Sequence, residues 1–313
     1  MQEKKNIRLL ISLVILIALT GLVYWLSLEK STIEIDKTIF RVDDFKTIDE
    51  VTFNSKGNTV TLKFDGTRWR VNDLYEADRH LVDVLFATLQ QAEPKRPVAA
   101  SIKDSISNEI LNNGVKVSLK ASGKDLKVFY AGGNLSKTQA YFLDGKDAPY
   151  IMVIPGYRVY ASGILELDEN GWRDKRVFNF SWRNFKEFTA QFPTQAKQNF
   201  RAAYFNNFFG VEGLAESDTI KLNAFMDGMM RLSADNFIKA GYSARYDSLI
   251  KTNPAMIIEI KDIADRKYPL IIFNPLRKDP YVLGVFGNNE AVLFQHDKIA
   301  PLVRGKDYFI KKP

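Results

Sequence analysis

Apolar and alternating stretches divide the chain into an N-terminal helix and two similar halves. Residues 9–28, LLISLVILIALTGLVYWLSL, contain no charged side chain. Apolar residues then recur at i, i+3, i+4 and i+7, the spacing of one buried helix face, in two sets: Val82, Leu85, Phe86, Leu89 and Leu222, Phe225, Met226, Met229. Val115, Val117 and Leu119 alternate with polar residues, and together with strand-like runs such as YIMVI they predict strands at about 115–120, 126–131, 140–144 and 149–154. Because hairpin signals rather than crossover helices follow the strands, the pattern favours an antiparallel α+β fold.

The segment 9–28 predicts a membrane anchor. A helix of this length spans roughly 30 Å, the thickness of a bilayer's hydrocarbon core. A cleavable signal peptide is the alternative, but the exit sequence VYWLSLEK lacks the small residues of a cleavage site. The side chains that we expect to carry the anchor, with aromatic rings in the headgroup zone, are Leu9, Leu10, Ile15, Leu16, Leu22, Tyr24, Trp25 and Leu28.

The charges around the anchor predict its orientation. Lys4, Lys5 and Arg8 precede the span, whereas the basic residues after it are mixed with acidic ones. Since a short basic N-terminus favours the cytoplasmic side, we expect a single-pass protein of a bacterial inner membrane. Its N-terminus is then cytoplasmic and the bulk of the chain periplasmic.

Ordered agreement between the two halves predicts an internal duplication. Leu74 and Leu214 begin similar segments 140 positions apart, with Asp78 and Ser217 or Asp218 as helix N-caps. The same offset matches Phe45, Lys46 and Ile48 to Phe185, Lys186 and Phe188. Chance similarity of two α+β segments is the alternative. The predicted organisation is therefore a cytoplasmic tip and anchor at 1–30, a first repeat at 31–165 and a second repeat at 166–313.

Composition excludes several kinds of site. The 313 residues include no cysteine, which excludes disulfides, thiolate metal sites, a cysteine nucleophile and a lipoprotein anchor. The formal net charge of +7 is spread along the chain without the basic stripe of a nucleic-acid-binding protein. We therefore expect no nucleic acid among the partners.

The polar residues form no recognisable catalytic, cofactor or metal motif. The two histidines, His80 and His296, lie in no zinc-type spacing, and the glycine cluster at 131–134 lacks a phosphate-loop pattern. The acidic pairs Asp43-Asp44 and Asp168-Glu169 offer carboxylates for glycosidase-like chemistry, but such pairs are also common on solvated loops. We expect no enzyme activity, no cofactor and no bound metal.

Aromatic residues concentrate in the stretches FNFSWRNF and YFNNFFG. One interpretation places them in the core and at the edge of the second repeat, since aromatic side chains dominate cores. The other places them on a partner surface, where aromatic residues and arginine concentrate binding energy. With the junction between repeats included, the candidate surface consists of Trp172, Arg173, Trp182, Phe205, Phe208 and Phe209.

The chain resembles a bacterial domain-of-unknown-function family, numbered 4340. The resemblance rests on the N-terminal span and on IDEVTF, TVTLKFDGTRWRV, the AD that starts the helix at Ala77, YFLDGKDAPYIMVI, GYRVY and GWRDKRVF. Members look like anchored extracytoplasmic proteins, often encoded beside ABC transporter subunits of the gliding-motility auxiliary type. The resemblance implies an accessory subunit of a membrane complex and transfers no active site.

These observations predict a non-enzymatic, membrane-anchored periplasmic scaffold or accessory subunit of an ABC-transporter-linked, gliding or secretion assembly. Its expected partners are a membrane protein complex and, through residues 9–28, the lipid bilayer. The alternatives are an anchored glycan-binding module, with aromatic faces as stacking platforms, and an envelope hydrolase that uses the acidic pairs.

Overall fold

The computed structural model describes residues 2–28, 35–42, 44–145, 148–178, 180–205, 208–287 and 289–311. It is an α+β fold with an apolar N-terminal helix and two antiparallel sheets, as predicted. The helices are α1 (Gln2–Leu28), α2 (Arg79–Gln91), α3 (Lys103–Asn113), α4 (Glu169–Trp172), α5 (Thr219–Met230), α6 (Ala244–Leu249) and α7 (His296–Ile299).

The strands fall into two groups along the chain. Those of the first sheet are β1 (Glu50–Ser55), β2 (Asn58–Phe64), β3 (Trp69–Val71), β4 (Tyr75–Glu76), β5 (Glu93–Pro97), β6 (Val115–Ala121), β7 (Lys124–Gly133), β8 (Ala140–Leu143) and β9 (Tyr150–Val153). Those of the second are β10 (Phe185–Gln191), β11 (Phe200–Phe205), β12 (Phe208–Val211), β13 (Asn236–Ile238), β14 (Met256–Asp262), β15 (Lys267–Ile272), β16 (Tyr281–Phe286) and β17 (Glu290–Gln295). The strands predicted between 115 and 154 are confirmed.

The two sheets share one strand order. The first runs β4-β3-β2-β1-β6-β7-β8-β9-β5 and the second β12-β11-β10-β14-β15-β16-β17-β13. If β1 is equated with β10 and each later strand with its counterpart, the orders coincide except for β4, a two-residue strand added at the first sheet's end. The agreement includes β5 and β13, which each follow a helix and pair with the last strand of their sheet.

The predicted distance of 140 positions between equivalent residues of the two repeats is wrong at β1 and β10, the first strands of the two sheets in chain order. Val51 pairs with Leu119, and Phe188 pairs with Ile260, so Val51 and Phe188 are equivalent at 137 positions. Ile48, the residue matched to Phe188 by sequence, precedes β1. The offset changes because the connection from β10 to β11 contains an extra 3₁₀ turn, whereas two residues join β1 to β2.

The two predicted helix stripes are observed. On α5, Leu222, Phe225, Met226 and Met229 are all buried, and on α2 Val82, Leu85 and Leu89 are buried while Phe86 is half-buried. Asp218 caps α5 by accepting the N–H of Lys221, and Asp78 accepts the N–H groups of His80 and Leu81 at the start of α2. These carboxylates satisfy N–H groups that have no partner within the helix.

Residues 2–59 and 84–166 form one compact unit, and residues 60–83 and 167–311 form the other. In the first unit, α3 covers β6 to β8, and a core cluster contains Val98, Ile110, Tyr141, Leu143 and Ile151. In the second unit the main core lies between α5 and the sheet, where Phe188, Phe200, Phe225 and Phe309 pack ring against ring. The predicted boundary between repeats at 165/166 stays a prediction.

Candidate functional site

The predicted anchor residues all lie on α1. Residues Asn6–Trp25 of this helix are long and apolar enough to cross a membrane, and none of that window is buried by the rest of the protein. The large apolar side chains there, including Leu9, Leu22, Tyr24 and Trp25, are exposed by half or more; Leu28 is the last helical residue. A continuous apolar surface of this length is suited to a lipid environment.

Trp172 and Arg173 belong to the short junction between the predicted repeats, and backbone hydrogen bonds join this junction to the second unit. The N–H of Asp78 donates to the carbonyl of Trp172 at 2.8 Å, and the N–H of Asp174 donates to the carbonyl of Glu76 at 2.9 Å. Trp172 is fully buried. The junction therefore serves the interior of this unit, and Trp172 offers no surface to a partner.

Arg173 is held between two aromatic rings. Its guanidinium carbon lies 3.5 Å from the centre of the Tyr75 ring and 3.6 Å from that of Phe237. Nη2 donates to Glu290 Oε1 at 2.6 Å, and the side chain is 5% exposed. Stacking a planar cation on two aromatic faces stabilises its charge away from water. Sequence reasoning marked Arg173 but missed both rings, because they come from distant segments.

The inward-facing aromatic residues of the second unit pack on one another. Trp182 meets Phe209 edge to face at 5.3 Å and donates its indole N–H to Asp227 at 3.2 Å. Phe209 also contacts Phe185 and Tyr204. Both Trp182 and Phe209 pack against the main core, which matches the interpretation of this stretch as core and sheet edge.

Phe205 and Phe208 lie on the opposite side of the same two strands. They are cross-strand partners at the end of β11 and β12, and Phe208 is 79% exposed while Phe205 is half-buried. The guanidinium of Arg201 lies 5.7 Å from the Phe205 ring. We call Arg201, Tyr204, Phe205, Phe208 and Phe209 the aromatic edge, since β12 ends the strand order of its sheet.

The carboxylates proposed for hydrolysis have structural contacts. Asp44 accepts the N–H of Lys46 at the start of a 3₁₀ turn, and Asp168 accepts the N–H of Gly171 at the start of α4. Glu169 accepts a hydrogen bond from the Asn72 side chain at 2.7 Å. Asp43 lies outside the described residues. The contacts of Asp44 and Asp168 are those of turn and helix caps, and the contact of Glu169 joins two distant segments of the chain.

The histidines occupy ordinary positions. His80 stands in the first turn of α2, and His296 is 4.0 Å from Asp297 at the start of α7. Within the described residues, no group of three histidine or acidic side chains is arranged to hold a metal ion.

Helix α6 is fixed by one tyrosine. Tyr246 is buried and donates its hydroxyl to Asp279 at 2.8 Å. Burial first, and then the bond to Asp279, raises the pKa of Tyr246 to about 12, so the hydroxyl remains a proton donor at neutral pH. The bond ties α6 to the segment that precedes β16.

Comparisons with known proteins identify a family for the chain. Neither the curated proteins nor the solved structures include a significant match to the chain. Residues 69–247, which run from β3 through α6, match the family model described as Domain of unknown function (DUF4340). This match covers more than half of the chain and includes the junction, the aromatic edge and the two rings that stack on Arg173. The chain therefore belongs to the DUF4340 family.

Proposed function

We propose that this chain is a non-enzymatic, single-pass accessory subunit of an envelope complex. In this proposal α1 anchors it in the inner membrane of a bacterium, with the N-terminus in the cytoplasm and both sheets in the periplasm. Support for the anchor comes from the length and apolar surface of α1. Support for the orientation comes from the basic residues before the span.

The observation that carries the accessory role is the exposure of large aromatic side chains on the aromatic edge. Phe208 is 79% exposed and Tyr204 is 52% exposed, although β11 and β12 pair with each other. Aromatic residues and arginine supply a large share of binding energy in protein interfaces. The exposed ring of Phe208 lies on the same side of the strands as Phe205 and Arg201, and this side forms a surface suited to a protein partner.

The strand geometry indicates how a partner binds there. No strand lies on the outer side of β12 in the described part of the chain, and an open strand edge can pair with an extended segment of another protein. The Ser217 hydroxyl accepts the N–H of Val211 at 2.9 Å, which covers one end of that edge. The proposed contact is therefore at Phe208 and Phe209, with an apolar, extended segment of a membrane-complex protein.

The partner class follows from the anchor and from the family resemblance. A protein held at the membrane by α1 meets other integral membrane proteins at high local concentration. The resemblance implies ABC transporter subunits of the gliding-motility auxiliary type. We propose that such a subunit supplies the extended segment.

Site-specific photocrosslinking tests the proposal. A photoreactive phenylalanine analogue placed at position 208 of the full-length chain is expected to crosslink to a membrane-complex protein in native membranes. Mass spectrometry of complexes extracted in mild detergent should recover the same protein. Phe208→Asp should weaken the contact at least tenfold, which corresponds to about 1.4 kcal/mol, because a buried unpaired charge opposes the contact. The recovery of the partner should fall accordingly.

The matched control is Leu135→Asp, which places the same charge at an exposed leucine of the first unit and should leave recovery unchanged. If Phe208→Asp recovers as much of the partner as the unchanged chain does, the proposed partner surface is refuted. If the chain is extracted alone and binds a glycan array through the same rings, the glycan-binding alternative replaces the accessory role.

A further inference from the structure

A cleft in the second unit has the size of a small-molecule site. Its volume is about 590 Å³, within the usual range for ligand pockets of about 300–1,000 Å³. Its walls come from β13 and the loop after it, from α6, from residues 289–291, and from the side chains of Tyr75, Asn170 and Arg173. The cleft is separate from the aromatic edge, and the inference drawn from it does not depend on the proposed partner.

Two buried polar atoms of the cleft residues have no hydrogen-bond partner among the described residues. They are Arg173 Nε and Asn170 Oδ1. The Arg173 side chain is 95% buried, and Nη2 already donates to Glu290. Buried polar atoms in proteins are nearly always paired. A molecule in this cleft is therefore expected to offer an acceptor to Nε and a donor to Oδ1.

The charges that line the cleft favour an anionic acceptor. Arg173, Lys239 and Lys251 are cationic, whereas Glu290 and Asp247 are anionic. Glu290 is already bound by Arg173, and the carboxylate of Asp247 accepts a backbone N–H at 3.2 Å. Lys239 pairs with Glu169 at 3.5 Å, whereas Lys251 forms no ion pair with any residue that the structure describes. An incoming carboxylate would thus find one lining cation, Lys251, without an acidic partner, while the acidic side chains of the lining are already engaged.

Part of the remaining wall of the cleft is apolar. Phe237, Ile238, Ile250 and Ala291 all contribute to it. An apolar wall beside a few fixed polar atoms is the usual composition of a ligand site, in which the polar atoms set the orientation. The wall would accept an aliphatic side chain attached near the charged group.

We propose that this cleft binds a carboxylate flanked by an N–H donor and an aliphatic side chain. The carboxylate accepts from Arg173 Nε, and the N–H donates to Asn170 Oδ1. The C-terminal residue of a peptide and an N-acylated amino acid both have this chemistry. The rings of Tyr75 and Phe237 stack on the guanidinium, so its orientation is fixed before the ligand arrives, which favours binding.

Calorimetric titration of the full chain in detergent micelles tests the assignment. N-acetyl-L-leucine is expected to bind saturably, and N-acetyl-L-leucinamide, which lacks the negative charge, at least tenfold more weakly. The tripeptide Ala-Ala-Leu distinguishes the two possible sources of the carboxylate. Binding as tight as that of N-acetyl-L-leucine indicates a peptide C-terminus, and weaker binding indicates a free acylated amino acid. This comparison needs no variant. Equal affinity for acid and amide, or no saturable binding of either acid, overturns the proposal.

Three variants locate the site. Arg173→Lys keeps a positive charge but loses Nε, and should weaken N-acetyl-L-leucine binding at least tenfold. Asn170→Ala and Lys251→Glu, which do not disturb the stacked rings, should each weaken it several-fold and thus provide a test even if the Arg173 variant misfolds. The matched control is Arg304→Lys, since Arg304 also has a buried, unpaired Nε but does not line the cleft. Unchanged affinity in all three cleft variants would also refute the assignment.

Discussion

At the scale of single residues, Arg173 combines several interactions in one side chain. It stacks on Tyr75 and Phe237, pairs with Glu290, and extends from a backbone bridge to Ala77. Each contact depends on the others, because the rings exclude water from the guanidinium and thereby strengthen its ion pair. Arg173 is therefore expected to stabilise the second unit regardless of any ligand.

Replacing Arg173 with methionine tests this structural role. Arg173→Met removes both stacking contacts and leaves Glu290 without its cation, so the free energy of unfolding should fall by about 2–4 kcal/mol. Urea denaturation of the detergent-solubilised chain, followed by tryptophan fluorescence, measures the change. Arg183→Met, at an exposed arginine, should change stability by less than about 0.5 kcal/mol. Equal effects of the two substitutions would contradict the role of Arg173.

At the scale of strands, Glu187 connects its own strand to both neighbouring strands in the second sheet. This residue of β10 accepts hydrogen bonds from Lys261 on β14 at 2.8 Å and from Arg201 on β11 at 2.6 Å. The bond from Lys261 and then those from Arg201 lower the pKa of Glu187 below its usual value of 4.5. The carboxylate therefore favours the folded state while it is ionised.

The stability contributed by Glu187 should depend on pH. Because its folded-state pKa is lowered, the contribution is fully present above pH 4.5 and is lost as pH falls through the folded-state pKa. Glu187→Gln should lower the free energy of unfolding by about 1–2 kcal/mol at pH 7, and this deficit should shrink towards pH 3. Urea denaturation across this pH range measures it. The control is Glu259→Gln, which removes an ion pair with Lys267 that is more exposed to solvent, and it should show a much smaller deficit. Equal deficits for the two variants would contradict the role of the bonds from Lys261 and Arg201 to Glu187.

Local pattern was sufficient to predict some elements and not others. The stripe on α5, its cap at Asp218 and the strand β6 were predictable because each depends on residues a few positions apart. The sequence pattern does not predict helix α3 or strand β13. Helix α3 has one buried residue, Ile110, and β13 is three residues long, so neither segment has a clear periodic pattern of apolar residues. Two features of the candidate surface could not be predicted, namely the burial of Trp172 and the surroundings of Arg173. Both depend on segments that are far apart in the sequence. The partner role of Phe208 stays a prediction.

At the scale of the whole molecule, α1 should determine where the protein resides. Deletion of residues 2–28 is expected to move the chain from the membrane fraction to the soluble fraction, because α1 carries the long apolar surface. A full-length chain with alkaline phosphatase fused at its C-terminus should be active, which reports export of that end. If a reporter that is active only in the cytoplasm is active at the same C-terminal position, the proposed orientation is wrong. If the deletion variant stays in the membrane fraction, α1 is not the anchor.

The shared strand order also determines when each sheet can be completed during folding. Strand β13 pairs with β17, a strand that follows it by about fifty residues, and β10 must wait for β14 before its inner edge is paired. Closing such long loops is entropically costly and slows folding. During synthesis, β10 would therefore keep one unpaired edge until β14 has followed, and β13 would lack its partner until β17 has followed. A nascent chain would require protection from self-association during this interval.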